Sequence, residues 1–264
     1  MNYKHLAFDI SKWIKAYAEN NHVKCLVVGV SGGVDSAVVS TLSASTGITT
    51  YVLSMPIKQD TSQLNLAEMH IDWLVKNYKN VKPLTVDLGL VFEKFIQGIK
   101  NQIGESFSNS HAEANARSRL RMMSLYHIAS VENGIVIGTG NKVEDYGIGF
   151  YTKYGDGGVD IAPIADLYKT EVWGLAKSLK INKKIIEASP TDGLWDDGRT
   201  DEDQIGMSYK ELEWVMKKGL NMYKEDPGSL SLQEIKMVEV YINFNSKNKH
   251  KMKKIPTYKK NQNG

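Results

Sequence analysis

Apolar residues recur along this chain at two alternating periods. Leu6, Ile10, Trp13, Ile14 and Tyr17 fall three or four apart, which predicts an amphipathic helix over 3–19 with these five on its buried face. Lys24–Val30 is a short continuous apolar run with three valines, the pattern of a buried parallel strand. Asp35–Ser45 then reads as a helix, stopped by Gly47. The alternation continues with strands at Thr49–Met55 and Lys82–Asp87 and helices at Thr61–Tyr78 and Leu90–Ile103. A long helix over His111–Val131 leads to a fourth strand, Gly134–Gly138. Further helices are predicted over Ala165–Lys180, with Val172, Leu175, Ala176 and Leu179 inward, and near 208–218 and 231–245. Strands alternating with helices predict an α/β fold: an open parallel sheet flanked by helices and joined by right-handed crossovers. Ligands of such sheets sit at the carboxyl ends of the strands, here the loops after the first, second and fourth.

Two segments break the alternation. Residues 147–158, GIGFYTKYGDGG, hold five glycines, too many for a helix or a central strand. A loop shaped for close backbone approach is expected there. Glu187–Gln204 carries seven carboxylates and one arginine and reads as a mobile surface loop. No internal repeat or low-complexity linker divides the chain, so one domain over 1–264 is expected.

Composition narrows the class. With 264 residues, 42% of them hydrophobic, the chain can bury a core without staples. Cys25 is the single cysteine, which excludes an intramolecular disulfide and a cysteine zinc cluster, and its apolar setting reads as a buried structural thiol. No apolar run of about 18 residues exists, and the charged start MNYKHLAFDISKWIKAY lacks a signal core. A cytoplasmic protein with no membrane role is expected. The net charge of +3 hides a polarity: residues 247–264 hold seven lysines and no carboxylate, leaving −4 on the remainder. That tail is either a solvated terminus or a basic arm closing on a phosphate-rich ligand. With nothing else strongly basic, no nucleic-acid partner is expected.

The sharpest chemical signal is Gly29-Val30-Ser31-Gly32-Gly33-Val34-Asp35-Ser36, between a strand and a helix. Paired glycines let backbone N–H groups approach an anion, and the helix N-terminus adds donors and partial positive charge. The GK[ST] ending of a Walker A loop is absent, and so is a GxGxxG fingerprint. Asp35 stands where a lysine would be, and a carboxylate beside phosphate calls for a bridging cation. This segment resembles the pyrophosphate loop of the ATP pyrophosphatase superfamily, whose members cleave ATP between the α and β phosphates.

Four more segments resemble the NAD synthetases of that superfamily: Asn115–Met122 with its arginines, Gly138–Glu144, Thr152–Asp160 (TKYGDGGVD) and Ser189–Trp195 with the later His250-Lys251. The resemblance runs from about residue 5 to 256 and is to the short, ammonia-dependent form. The glutamine-dependent form adds an N-terminal amidase domain, which is not expected here given the short stretch before the first strand. It implies the adenine-nucleotide alpha-hydrolase-like fold and a reaction converting deamido-NAD, ATP and ammonia to NAD, AMP and pyrophosphate through an adenylate. It also implies a homodimer with shared sites. The rival readings are another ATP pyrophosphatase acting on a small carboxylate, an RNA-modifying relative and a non-catalytic nucleotide sensor.

By the same resemblance, residues 29–36, Thr139, Lys169 and Thr191 contact ATP, and Asp35 and Glu144 hold Mg²⁺. The chain carries one residue more than the family pattern between the metal glutamate and Phe150. Counting forward from Gly138 selects Glu144, and counting back from Lys153 selects Asp145; the intact NKxE context favours Glu144. Arg119, Lys153, Asp160, His250 and Lys251 are implied contacts of deamido-NAD. Arg117, Arg119 and Arg121 cannot share one helical face, and Arg117 is the expected structural or solvated one. Asp156 and Asp160 are candidates for holding ammonium and taking its proton, with Lys169 the third catalytic candidate, although both aspartates could equally fix the turn. Residues 191–204 would be a lid that excludes water from the adenylate.

Overall fold

The computed structural model describes residues 1–57, 61–191 and 199–260. Four parallel strands form one sheet: β1 (Cys25–Gly29), β2 (Thr49–Ser54), β3 (Val81–Thr85) and β4 (Gly134–Val136), in the order β3-β2-β1-β4. Cys25 pairs with Thr49 on one side and with Gly134 on the other. Pro83, which cannot donate to a ladder, lies in the edge strand β3.

Alternate residues of β1 serve opposite layers, as the pleat requires. Leu26 and Val28 enter a core with α1 (Tyr3–Asn20), α2 (Val34–Ala44) and α6 (Lys169–Ser178). Cys25 and Val27 enter another, beneath α4 (Gly89–Ile103) and α5 (Ser110–Val131). The helix α3 (Thr61–Asn77) covers the β2–β3 side through Ala67, Ile71 and Leu74. A separate core forms among the C-terminal helices α8 (Asp201–Ile205), α9 (Tyr209–Trp214), α10 (Leu220–Glu225) and α11 (Leu232–Met252), and it includes Val143 and Ile148.

The predicted elements are found with small shifts at their ends, and four differences are informative. The buried stripe of α1 is Ala7, Ser11, Ile14 and Ala18, while Trp13 and Tyr17 stay exposed. Small residues let this helix lie close to its neighbours: Ser11 Oγ donates to the Leu42 carbonyl, and Tyr3 lies against Gly174. The helix expected from Ala165 begins at Lys169. The acidic segment is not all surface loop. Glu187 ends the short helix α7 (Lys183–Glu187), and Thr200 caps α8, whose first residue Asp201 is buried. The basic tail is helical as far as Met252, because Val238 and Tyr241 anchor α11 in the C-terminal core.

The sheet order reverses between β1 and β4. Strand β1 crosses over to β2 on one side, while β4 returns to the other. The crevice at their carboxyl ends is where an open α/β sheet binds ligands.

Candidate active site

A cavity of about 280 Å³ opens at this reversal. Residues 29–36 form one wall, and Gly138, Thr139 and Gly140 after β4 form the next. Met55, Arg121, Glu144, Asp156, Lys169 and Thr191 are among its other lining residues.

The phosphate loop is locally wired. The Ser31 N–H donates to Ser36 Oγ, Ser36 Oγ donates to the Gly33 carbonyl, and the Gly33 N–H donates to Ser31 Oγ. Gly32 has φ +91°, and a Cβ there would stand 2.5 Å from the Gln63 carbonyl oxygen of α3. Glycine is therefore required by conformation and by space.

Lys169, the first residue of α6, is 2% exposed. Its ammonium lies 2.5 Å from Asp35 Oδ2 and 2.9 Å from Glu144 Oε1. Asn141 Nδ2 donates to the other Asp35 oxygen at 3.1 Å. The Tyr209 hydroxyl stands 2.6 Å from Glu144 Oε1 and 3.0 Å from Asp201 Oδ2, and the Tyr209 ring centroid is 4.7 Å from the ammonium. Burial alone would lower the Lys169 pKa, but the two carboxylates overcome it and raise it. One buried ammonium cannot fully compensate two carboxylates. Burial pushes the Asp35 carboxyl above its ordinary value despite Lys169. Burial acts on Glu144 too, but Lys169 and the Tyr209 hydroxyl hold it below its ordinary value. The triad carries a net −1 if both acids are ionised, which suits a further cation.

Lys142–Ile148 forms a π-helix, a wider turn than that of an α-helix. Glu144 and Asp145 consequently point to different places. Glu144 meets Lys169, whereas Asp145 lies against Gly140, lining the cavity. Burial first, then the charges of Glu144 and Asp156, push the Asp145 carboxyl well up.

Asp156 Oδ1 accepts the Thr152 N–H at 2.9 Å and the Ser118 hydroxyl at 2.7 Å. It fixes the glycine-rich turn and lines the cavity as well. Burial pushes its carboxyl up, with those hydrogen bonds opposing. Asp160 is used differently: Oδ2 accepts the Val136 N–H and Oδ1 the Tyr126 hydroxyl, and it is not among the cavity's lining residues.

The other expected dinucleotide contacts are not gathered in the cavity. Arg119 is on the surface, donating to the Lys153 carbonyl, and the Lys153 ammonium lies over the Tyr154 ring. His250 is exposed beside the Lys247 carbonyl, and Lys251 donates to the Tyr151 carbonyl. Arg117 is structural and buried, its guanidinium 5.2 Å from the Phe92 ring centroid. Thr139 and Thr191 line the cavity, and Thr191 Oγ1 donates to the Arg199 carbonyl. The rest of the expected lid, residues 192–198, and the tail beyond 260 lie outside the described residues.

Sequence reading missed Tyr209, Asp201 and Ser118. No local pattern distinguishes Tyr209 from any core aromatic, because its partner Glu144 is 65 residues away. Asn141 was within reach, since it sits inside the Gly138–Glu144 string and caps the π-helix through the Val143 and Glu144 N–H groups.

Residues 6–255 match the NAD synthase family. An NH(3)-dependent NAD(+) synthetase of Carboxydothermus hydrogenoformans is 36% identical over 225 residues, 83% of this chain and 87% of that protein. The solved NMN synthetase of Francisella tularensis superposes with a TM-score of 0.83 at 31% identity, covering 98% of this chain and 99% of that one. The NH3-dependent NAD synthetase of Campylobacter jejuni, solved with a nitrate ion, gives 0.77 at 25% identity, over 98% and 100% of the two chains.

Proposed function

The chain belongs to the NAD synthase family, and from that premise we propose a division of labour among its residues. The family's ammonia-dependent members are carbon–nitrogen ligases that make NAD from deamido-NAD, ATP and ammonia, the last step of NAD biosynthesis, and this is the function of the chain. The observation that carries the assignment of roles is the Lys169 ammonium bridging Asp35 and Glu144 below the phosphate loop.

The reaction runs in two steps. A carboxylate oxygen of the nicotinate ring attacks the α-phosphorus of ATP, the bond to the β-phosphate oxygen breaks, and pyrophosphate leaves. Ammonia then attacks the carbonyl carbon of the adenylate, AMP departs with the bridging oxygen, and the amide remains. The N–H groups of residues 29–36 and the Ser31 and Ser36 hydroxyls receive the ATP phosphates. Lys169 neutralises charge there, and Thr139 and Thr191 hold the nucleotide.

Asp35 and Glu144 suit Mg²⁺, being hard oxygen donors with charge to spare. No group of three or more His, Cys, Asp or Glu stands ready for a metal among the described residues, so phosphate oxygens and water would complete the shell. When bound, the ion offsets charge on the departing pyrophosphate. Asp156 holds ammonium and takes its proton, with Oδ2 the oxygen left for it. Asp160 holds the turn. Arg119, Lys153, His250 and Lys251 would contact the outer part of deamido-NAD.

A homodimer is part of the reading. Leu90, Val91, Phe95 and Ile103 leave an apolar face of α4 exposed, the kind of surface a second copy covers. A cytoplasmic site of action fits, as no helix among the described residues is long and apolar enough to cross a membrane.

The likeness to an NMN synthetase favours a second acceptor, the nicotinate mononucleotide that forms half of deamido-NAD. One assay separates the readings. The protein is given Mg-ATP and ammonium with either acceptor, and amide product, AMP and pyrophosphate are counted. NAD matched one-to-one by AMP is expected, and glutamine should not replace ammonium. Faster amidation of the mononucleotide would overturn the choice of acceptor, and AMP without amide would overturn the function.

A further inference from the structure

The C-terminal helix α11 sends three side chains, spaced three residues apart, onto one short stretch of backbone. Asn245 Nδ2 donates to the Gly147 carbonyl at 2.7 Å, Asn248 Nδ2 to Ile148 at 2.9 Å and Lys251 Nζ to Tyr151 at 2.7 Å. Gly147 and Ile148 close the π-helix, so their carbonyls find no partner within it. The capping they need comes from an element about a hundred residues away (98 and 100 in sequence). Gly149, which follows, has φ +63°, and a Cβ there would stand 2.6 Å from Asn248 Cβ. The helix therefore lies directly on this backbone.

Both neighbours of the capped stretch belong to the active site. The N–H groups of Gly149 and Phe150 donate to the carbonyl of Glu144, whose carboxylate meets Lys169. On the other side Tyr151 leads into Thr152, whose N–H holds Asp156. A shift of the 147–151 backbone would move Glu144 and Asp156 together relative to the phosphate loop.

We infer that Asn245 and Asn248 are positioning residues for the amidation reaction: they fix the backbone at Gly147 and Ile148, and through it the Glu144 carboxylate and the Thr152–Asp160 turn. The kinetic part of this inference rests on the proposed function, and the positioning rests on the hydrogen bonds alone. Asn245 and Asn248 touch neither the cavity nor the Asp35–Lys169–Glu144 cluster, so they test it cleanly.

The experiment compares the full chain with Asn245→Ala, Asn248→Ala and Asn248→Asp. Loss of one neutral donor should lower kcat about three- to tenfold in each alanine variant. Asn248→Asp should lose more, since an ionised carboxylate cannot donate and would face the Ile148 carbonyl oxygen. The KM for ATP should stay within about twofold of wild type, because α11 does not reach the phosphate loop. Amide hydrogen exchange over 147–158 should quicken by a similar factor while residues 29–40 keep their rates. Unchanged kcat and unchanged exchange in all three variants would overturn the inference. So would a loss of activity accompanied by equally faster exchange across the whole chain, the mark of a merely structural helix. If the wild type forms no amide, the proposed function has failed, and exchange confined to 147–158 still decides the positioning.

Discussion

In the phosphate loop, Ser31, Gly33 and Ser36 bond one another within six positions of the chain. The opposite wall, Lys142–Asp160, is held from Asn115, Ser118, Lys169, Asn245, Asn248 and Lys251, between 25 and 100 residues away. The first wall is a local device, a strand end, a glycine turn and a helix start. The second is a loop shaped by its neighbours, with a π-turn that no local pattern requires. They meet where Lys169 joins Asp35 from one wall to Glu144 from the other. Nucleotide binding should therefore survive damage to the second wall, while the chemistry should depend on the junction.

The largest expected effect is at that junction. Lys169→Met would leave two buried carboxylates without their cation, costing about 3–5 kcal/mol of stability and abolishing turnover. Urea midpoints with and without MgCl₂ check this. The variant should lose most without the metal and regain part of the loss with it, and an unaltered midpoint would contradict the geometry.

Next come the carboxylates themselves. Asp35→Ala and Glu144→Ala should each lower kcat about 10²–10³-fold, the scale of losing a charge-stabilising group in the transition state. Neither should destabilise the fold as Lys169→Met does, since a one-to-one pair with Lys169 remains. Asp145→Ala should lower kcat less than about tenfold on the same scale. If Asp145 proves the costlier of the two neighbours, the second metal ligand has been assigned to the wrong acid.

Tyr209→Phe probes the junction more gently. The loss of one hydroxyl donor to Glu144 should lower stability by about 1–2 kcal/mol and kcat about tenfold, read from denaturation and steady-state rates. Equal rates for the two proteins would show that Glu144 needs no such support.

The smallest effect at neutral pH lies behind the first wall. His70 of α3 is 2% exposed, bonds Ser40 of α2 and stacks on Trp73. Burial lowers its pKa from 6.5 to about 4, so the unfolded chain takes up its proton first. The stability this group contributes is present above about pH 6.5 and is lost as pH falls towards about 4, on the order of 3 kcal/mol in all. His70→Gln should flatten that part of the profile and leave pH 7 behaviour nearly unchanged. A wild-type profile equally steep in the variant would assign the acid sensitivity elsewhere.

Periodicity and motif were enough to read the α/β alternation, the parallel sheet and the glycine turn between β1 and α2, because each rests on contacts within one element or between consecutive ones. The valine run Lys24–Val30 can be little but a buried strand, and Gly32 and Gly33 can turn only towards an anion or a packed neighbour. Packing decided the rest. Trp13 and Tyr17 face outward because α1 needs Ala7, Ser11 and Ala18 to lie close to α2 and α6. Asp156 and Asp160 look alike in sequence, yet one lines the cavity while the other pins Val136 and Tyr126. Tyr209, Asn245 and Asn248 gain their roles only when the C-terminal helices fold back onto the π-turn. A side chain's partner across a hundred residues is set by where the cores bring the elements together, and local pattern holds no record of that distance.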